Sequence, residues 1–94
     1  MNEVFIDKML KKLGETVRIL RNRKKLMQWE LVRIAELDRS YLQKVESGKN
    51  VSVATVLRLC IALDVDVIFL LKLAWEVTKD FRKSKIVVVT STVP

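Results

Sequence analysis

Apolar residues recur at three- and four-residue steps through the first quarter of the chain, at Phe5, Ile6, Met9, Leu10, Leu13, Val17 and Leu20. That period lines up one stripe on an α-helix, so the spacing predicts a first, long helix over residues 4 to about 24. Lys8, Lys11, Lys12, Arg18 and Arg23 fall on its other face. A short second helix is predicted over 28–36, with Leu31, Ile34 and Ala35 inward, before Leu37 and Asp38 break the period. Asp38 is suited to cap a third helix over 39–47, which Gly48 closes because glycine takes the left-handed conformation without a Cβ penalty. Ser52 can cap a fourth helix over 53–63, with Val56, Leu57, Cys60 and Ile61 facing the core, and Asp66 can cap a fifth over 67 to about 82. The fifth is unusually apolar: Val67, Ile68, Phe69, Leu70, Leu71, Leu73, Ala74, Trp75, Val77 and Phe81 exceed one buried stripe, so something beyond this domain must cover part of it. A second copy of the chain is the simplest cover, placing Phe69, Leu73 and Trp75 in a dimer interface. Residues 86–94 change character to a β-branched run, which predicts a tail that is either disordered or a short strand in need of a partner.

With 94 residues there is chain for one domain, expected over 1–85, and not for two cores. Only two glycines and a single proline, Pro94, punctuate it, as an all-α fold of helices with tight connections requires. Half the residues are hydrophobic and 31% are charged, the balance of a folded domain. Lys plus Arg outnumber Asp plus Glu by 18 to 11, and a formal charge of +7 on so small a body favours a polyanionic partner. Nucleic acid is the first expectation and an acidic membrane surface the second. The absence of histidine and the single cysteine exclude a disulfide framework, a Cys/His zinc cluster and an imidazole base. No metal, no cofactor, no catalytic residue and no enzymatic activity are therefore expected. The first 25 residues lack a signal-peptide pattern and no apolar run approaches a membrane span, so a cytoplasmic protein without membrane association is expected.

Two helices of eight or nine residues joined by a turn have the dimensions of a helix-turn-helix. Residues 28–48 carry the pattern: Gln28 opens a helix, Leu31 follows three later, Arg39-Ser40-Tyr41 starts the next, and Glu46-Ser47-Gly48 ends it, in register without a gap. The segment resembles the helix-turn-helix of the Cro/phage-repressor, or xenobiotic-response-element, family, and the likeness extends over about 13–71. The resemblance implies a five-helix DNA-binding domain in which Leu31, Ala35, Leu37, Leu42 and Val45 clamp the two helices together. It also implies an ion pair between Arg21 and Glu46 that fixes the helix angle and makes no DNA contact. The sequence departs from the family pattern where Glu36 replaces a turn glycine, Lys25 a glycine, Met27 a Ser or Thr cap, and Val51 a proline.

The third helix would then enter a major groove. Arg39, Ser40, Gln43 and Lys44 are the candidates for base contact, since Arg pairs bidentately with guanine and Gln with adenine. Gln28, Tyr41, Ser47, Lys49 and Asn50 are the candidates for phosphates, Gln28 because it sits at a helix N-terminus. The Arg21–Lys25 run reads equally as a solvated helix end or a phosphate contact. Trp29 reads as a rim contact or as packing on lysine side chains. Cys60 reads as a small buried apolar residue.

The function expected is a homodimeric, sequence-specific transcriptional regulator on a pseudo-palindromic double-stranded operator. Within the family, the Leu37-Asp38-Arg39-Ser40-Tyr41 run and the apolar fifth helix resemble controllers of restriction-modification genes. The alternative is an antitoxin that inhibits a toxin and regulates its own operon, in which case the fifth helix or the tail would bind the toxin. Small phage repressors share the same pattern.

Overall fold

A computed structural model describes residues 2–77. Five helices follow one another: α1 (Asn2–Arg23), α2 (Gln28–Ala35), α3 (Arg39–Glu46), α4 (Val53–Leu63) and α5 (Val67–Val77). No strand occurs among the described residues. The continuation of α5 toward residue 82 and the β-prone tail at 86–94 lie outside them.

The long α1 runs along one side and packs on both α3 and α5, while α2 packs on α4 and α3. Leu13 and Val17 from α1, Leu31 and Val32 from α2, Leu42 and Val45 from α3, Leu59 and Leu63 from α4, and Leu70 and Ala74 from α5 meet in one buried core. Where α1 crosses α3, Gly14 lies so close to the Val45 carbonyl oxygen that a Cβ there would collide with it.

Four helices end in the same way. Residues 25, 36, 48 and 64 adopt positive φ, of 58°, 55°, 81° and 56°. The next amide in each case reaches back five residues: Leu26 to the Arg21 carbonyl, Leu37 to Val32, Lys49 to Lys44 and Val65 to Cys60, at 2.9–3.1 Å. This is the Schellman closure, which satisfies carbonyls a helix end would otherwise orphan. Leu26, Leu37 and Val65 then tuck onto the core, supplying the apolar contact that accompanies the motif. Three of these corners use Lys25, Glu36 and Asp64 in place of glycine, each at a cost of about 1 kcal/mol.

Helix starts are more varied. Ser52 caps α4 through its hydroxyl, which accepts from the Thr55 amide at 3.2 Å, and the Asp66 carboxylate accepts from the Ile68 amide at 2.7 Å. Asp38 occupies the N-cap position of α3 in extended conformation, but its side chain makes no capping bond, contrary to expectation. At α2 the Glu30 carboxylate reaches back to the Met27 amide at 2.8 Å, so the apolar Met27 is compensated by the acid three residues on.

Several inward assignments are corrected. Ile34 is 56% exposed, and Val32 takes the inward place on α2. Leu57 and Ile61 face outward, Ile61 being 80% exposed, while Leu59 and Leu63 fill the core. Ile6 is likewise half exposed on the α1 stripe. Apolar residues nearly encircle α4, so its period alone does not mark which side the other helices cover.

Candidate nucleic-acid interface

The outer face of α3 carries Arg39, Ser40, Gln43, Lys44 and Ser47, all exposed, while Leu42 and Val45 point to the core. Tyr41 is exposed beside them, with the Lys44 ammonium 5.9 Å from its ring centroid, a separation at which a cation is attracted to the π face. The Ser47 hydroxyl donates to the Lys44 carbonyl at 3.0 Å, so its remaining capacity toward a ligand is as an acceptor. Lys49 and Asn50 are exposed just past the helix end.

Two shallow depressions flank α3. One lies toward α4 and is lined by Tyr41, Lys44, Asn50, Val51, Ser52 and Thr55. The other lies toward the α1–α2 corner, where Arg21, Asn22, Lys25, Gln28, Trp29 and Arg39 are among its walls. Polar donors and cations therefore border the projecting helix on both sides, the arrangement that suits two phosphate backbones astride a groove. Trp29, 52% exposed, stands at the rim of the second depression.

Behind α3 the structure brings Arg21 and Glu46 together. Arg21 Nε donates to Glu46 Oε2 at 2.7 Å and Nη2 donates to Oε1 at 3.0 Å, a bidentate pair whose side chains are only 12% and 7% exposed. Arg21 Nη1 also donates to the Leu26 carbonyl at 2.9 Å, tying the end of α1 to the corner before α2. Glu46, the acid of α3, is thus turned away from the outer face and neutralised, leaving Arg39 and Lys44 as the charges presented there.

The sequence did not reveal what Gln28 does. Its amide nitrogen donates to Glu46 Oε1 at 3.1 Å and its amide oxygen accepts from Arg39 Nε at 3.2 Å. One side chain joins the ion pair to the first residue of α3. The signal was present only as residue types, an amide between an acid and a base at separations of 18 and 11 residues.

On α5, Val67, Leu70 and Ala74 face inward, whereas Ile68, Phe69, Leu71, Leu73 and Trp75 remain substantially exposed. At about 100° per residue, Phe69 and Leu73 lie about 40° apart on one flank and Trp75 about 160° from Leu73 on the other. Trp75 packs edge-on against Phe5 of α1, ring centroids 5.4 Å apart, and shares a shallow apolar depression with Met9, Ile68, Leu71 and Lys72. The three residues expected at a dimer interface therefore do not share one face. Cys60 is buried, and burial pushes its thiol pKa up, with the Asp66 charge adding to the shift. Among the described residues no group of His, Cys, Asp or Glu is placed to hold a metal ion, and no helix is long and apolar enough to cross a membrane.

A helix-turn-helix domain family model matches residues 12–68, from the middle of α1 into α5. Among solved structures, the restriction-modification controller protein C.AhdI from Aeromonas hydrophila is similar at 44% identity and a TM-score of 0.62, over 65% of this chain and 94% of that one. The clp gene regulator ClgR from C. glutamicum is similar at 29% identity and a TM-score of 0.66, over 72% of this chain and 88% of its own. A variant of the controller C.Esp1396I shares the fold at 19% identity and a TM-score of 0.64, over 72% and 87%. No curated protein sequence matches.

Proposed function

The chain belongs to the helix-turn-helix family of the Cro/phage-repressor type, and from that premise we propose that it is a homodimeric, sequence-specific regulator of restriction-modification genes. The observation that carries the choice within the family is the likeness to the Aeromonas controller, which runs through nearly the whole of that protein. In this reading α3 enters the major groove and Arg39, Ser40, Gln43 and Lys44 meet base edges. Tyr41 and Asn50 hold phosphate in the depression toward α4, Ser47 and Lys49 hold it at the C-terminal end of α3, and on the other side Gln28 offers its second amide hydrogen to a backbone oxygen. The exposed flank of α5 around Phe69 and Leu73 pairs with its equivalent in a second copy across a two-fold axis.

Two recognition helices so related reach successive major grooves only when about 34–36 Å apart, so the operator is a pseudo-palindrome with half-sites one helical turn apart. With about four phosphates neutralised per subunit by the cations on and beside α3, log affinity falls against log salt with a slope of about −7. The experiment is selection of bound duplexes from a randomised library, followed by footprinting and sedimentation of the parent and of Phe69→Glu. A two-fold-related motif, steep salt dependence and a monomeric Phe69→Glu are expected; a single isolated half-site or salt-insensitive binding refutes the docking.

A further inference from the structure

We propose that Trp29 is an uncharged arm of the DNA interface: its indole ring packs against the deoxyribose face of the strand beside α2, and its ring N–H donates to a phosphate oxygen of that strand. The inference rests on the reading of α3 as the DNA-contacting helix and deepens it, adding to the cations and amides a contact that releases no counterion.

Trp29 is the second residue of α2 and keeps more than half of its surface exposed. A lone exposed apolar residue is ordinary on a folded surface, so its place and its neighbours have to carry the argument. It lines the same depression as Arg39, the first residue of α3, and whatever runs along the reading helix on this side therefore meets the indole. Leu26 and Met27 add apolar surface to that depression, while Lys25 and Arg39 bring cations beyond the neutralised Arg21, and no carboxylate lines it. A nucleic-acid strand alternates apolar sugar faces with anionic phosphates, and this lining matches both parts of the repeat. The indole Nε1 is a donor only, and that of Trp29 has no partner among the described residues. The depression on the other flank of α3 is built differently, from the hydroxyls of Tyr41, Ser52 and Thr55, the Asn50 amide and Lys44. One strand is thus held by hydrogen bonds and charge, the other by charge and apolar packing.

Such a contact has a thermodynamic signature of its own. A lysine on a phosphate releases a counterion and steepens the salt dependence by about 0.9 per contact, whereas a ring on a sugar releases none. Trp29 therefore supplies affinity that persists as salt rises, when the ionic contacts weaken.

The experiment measures duplex affinity against salt, base preference and thermal midpoint for the parent, Trp29→Ala, Trp29→Phe and Lys49→Ala. Trp29→Ala is expected to bind every duplex about tenfold more weakly per half-site, with salt slope and base preference unchanged. Lys49→Ala instead flattens the slope by about 0.9 per half-site. Trp29→Phe, which keeps a ring and loses the N–H, recovers part of the Trp29→Ala loss; no recovery at all overturns the packing on sugar. Because the chain has two tryptophans, Trp75→Phe leaves Trp29 as its one indole, and DNA is expected to shield that indole from acrylamide quenching. This measurement keeps Trp29 intact and decides the matter even where Trp29→Ala fails to fold. An unshielded Trp29, or a folded Trp29→Ala that binds as tightly as the parent, overturns the proposal and leaves the indole to a protein partner. A shallower salt slope for Trp29→Ala overturns it as well, since that marks the loss of an ionic contact. A parent that binds no duplex refutes the DNA-reading assignment itself, an outcome distinct from all of these.

Discussion

Removing Arg21 tests the packing of α1, α2 and α3 most directly. Arg21→Ala deletes two hydrogen bonds to Glu46 and one to the Leu26 carbonyl, leaving a carboxylate that is 7% exposed with the Gln28 amide as its remaining partner. Stranding one member of a buried pair costs about 3–5 kcal/mol, against about 0–1 kcal/mol for a solvated surface pair. Both side chains keep some contact with water, which places the expected loss near the lower end, about 3 kcal/mol. With a urea dependence of about 1.5 kcal/mol per molar, the unfolding midpoint should fall by about 2 M, a shift that equilibrium denaturation resolves easily. Glu46→Ala should cost less, because Arg21 retains the Leu26 carbonyl and can turn toward solvent. The double variant should be less destabilised than the sum of the singles, since it strands no charge. An Arg21→Ala midpoint within 0.3 M of the parent, roughly 0.5 kcal/mol on that slope, or singles that simply add, would refute the account of Glu46 as a paired, desolvated charge.

Three further outcomes follow from other contacts. Alanine is the better helix former by about 1 kcal/mol, yet Gly14→Ala should lower the thermal midpoint, because its methyl meets the Val45 carbonyl oxygen; a rise would show that α1 and α3 are not in backbone contact. Glu36→Gly should raise the unfolding free energy by about 0.5 kcal/mol, the relief of a left-handed side chain less the entropy glycine adds to the unfolded chain, and a loss in denaturant titration would contradict the corner geometry. Burial and the Asp66 charge both keep Cys60 protonated, so native protein at neutral pH should alkylate far more slowly than protein in denaturant; equal rates would place the thiol at the surface.

The helix-turn-helix was legible through Gly48 as a stop and the Leu31, Leu42 and Val45 spacing as a core, and the start of α4 through Ser52 as a cap. Inward and outward on α4 were not legible, because Val53, Leu57 and Ile61 form an apolar row as regular as Val56, Leu59 and Leu63. On α2, Val32 and Ile34 are both β-branched and two residues apart, and only the position of α4 decides between them. The grouping of Phe69 with Trp75 followed from the excess of large apolar residues and passed over their separation around the helix, which the period alone dictates, whereas the Phe5 ring beside Trp75 belongs to tertiary packing. Gln28 was recognisable as a polar residue at a helix start, but its two partners are distant in sequence and leave no periodic trace.

The contact between Gly14 and Val45 bears on where compliance resides in a complex with DNA. A helix cushioned by long side chains can roll or slide by fractions of an ångström to suit a poor site, whereas α3 rests on the bare backbone of α1 and is pinned at its last turn by Glu46. A stiff reader of this kind leaves the duplex to absorb any misfit by bending, twisting or narrowing its grooves, and that deformation has a sequence-dependent cost of several kcal/mol. In the dimeric docking proposed above, base pairs between the two half-sites, touched by no side chain, would then enter the affinity through their flexibility, and exchanging a pliant TA step for a rigid A-tract there would alter binding without altering one contact.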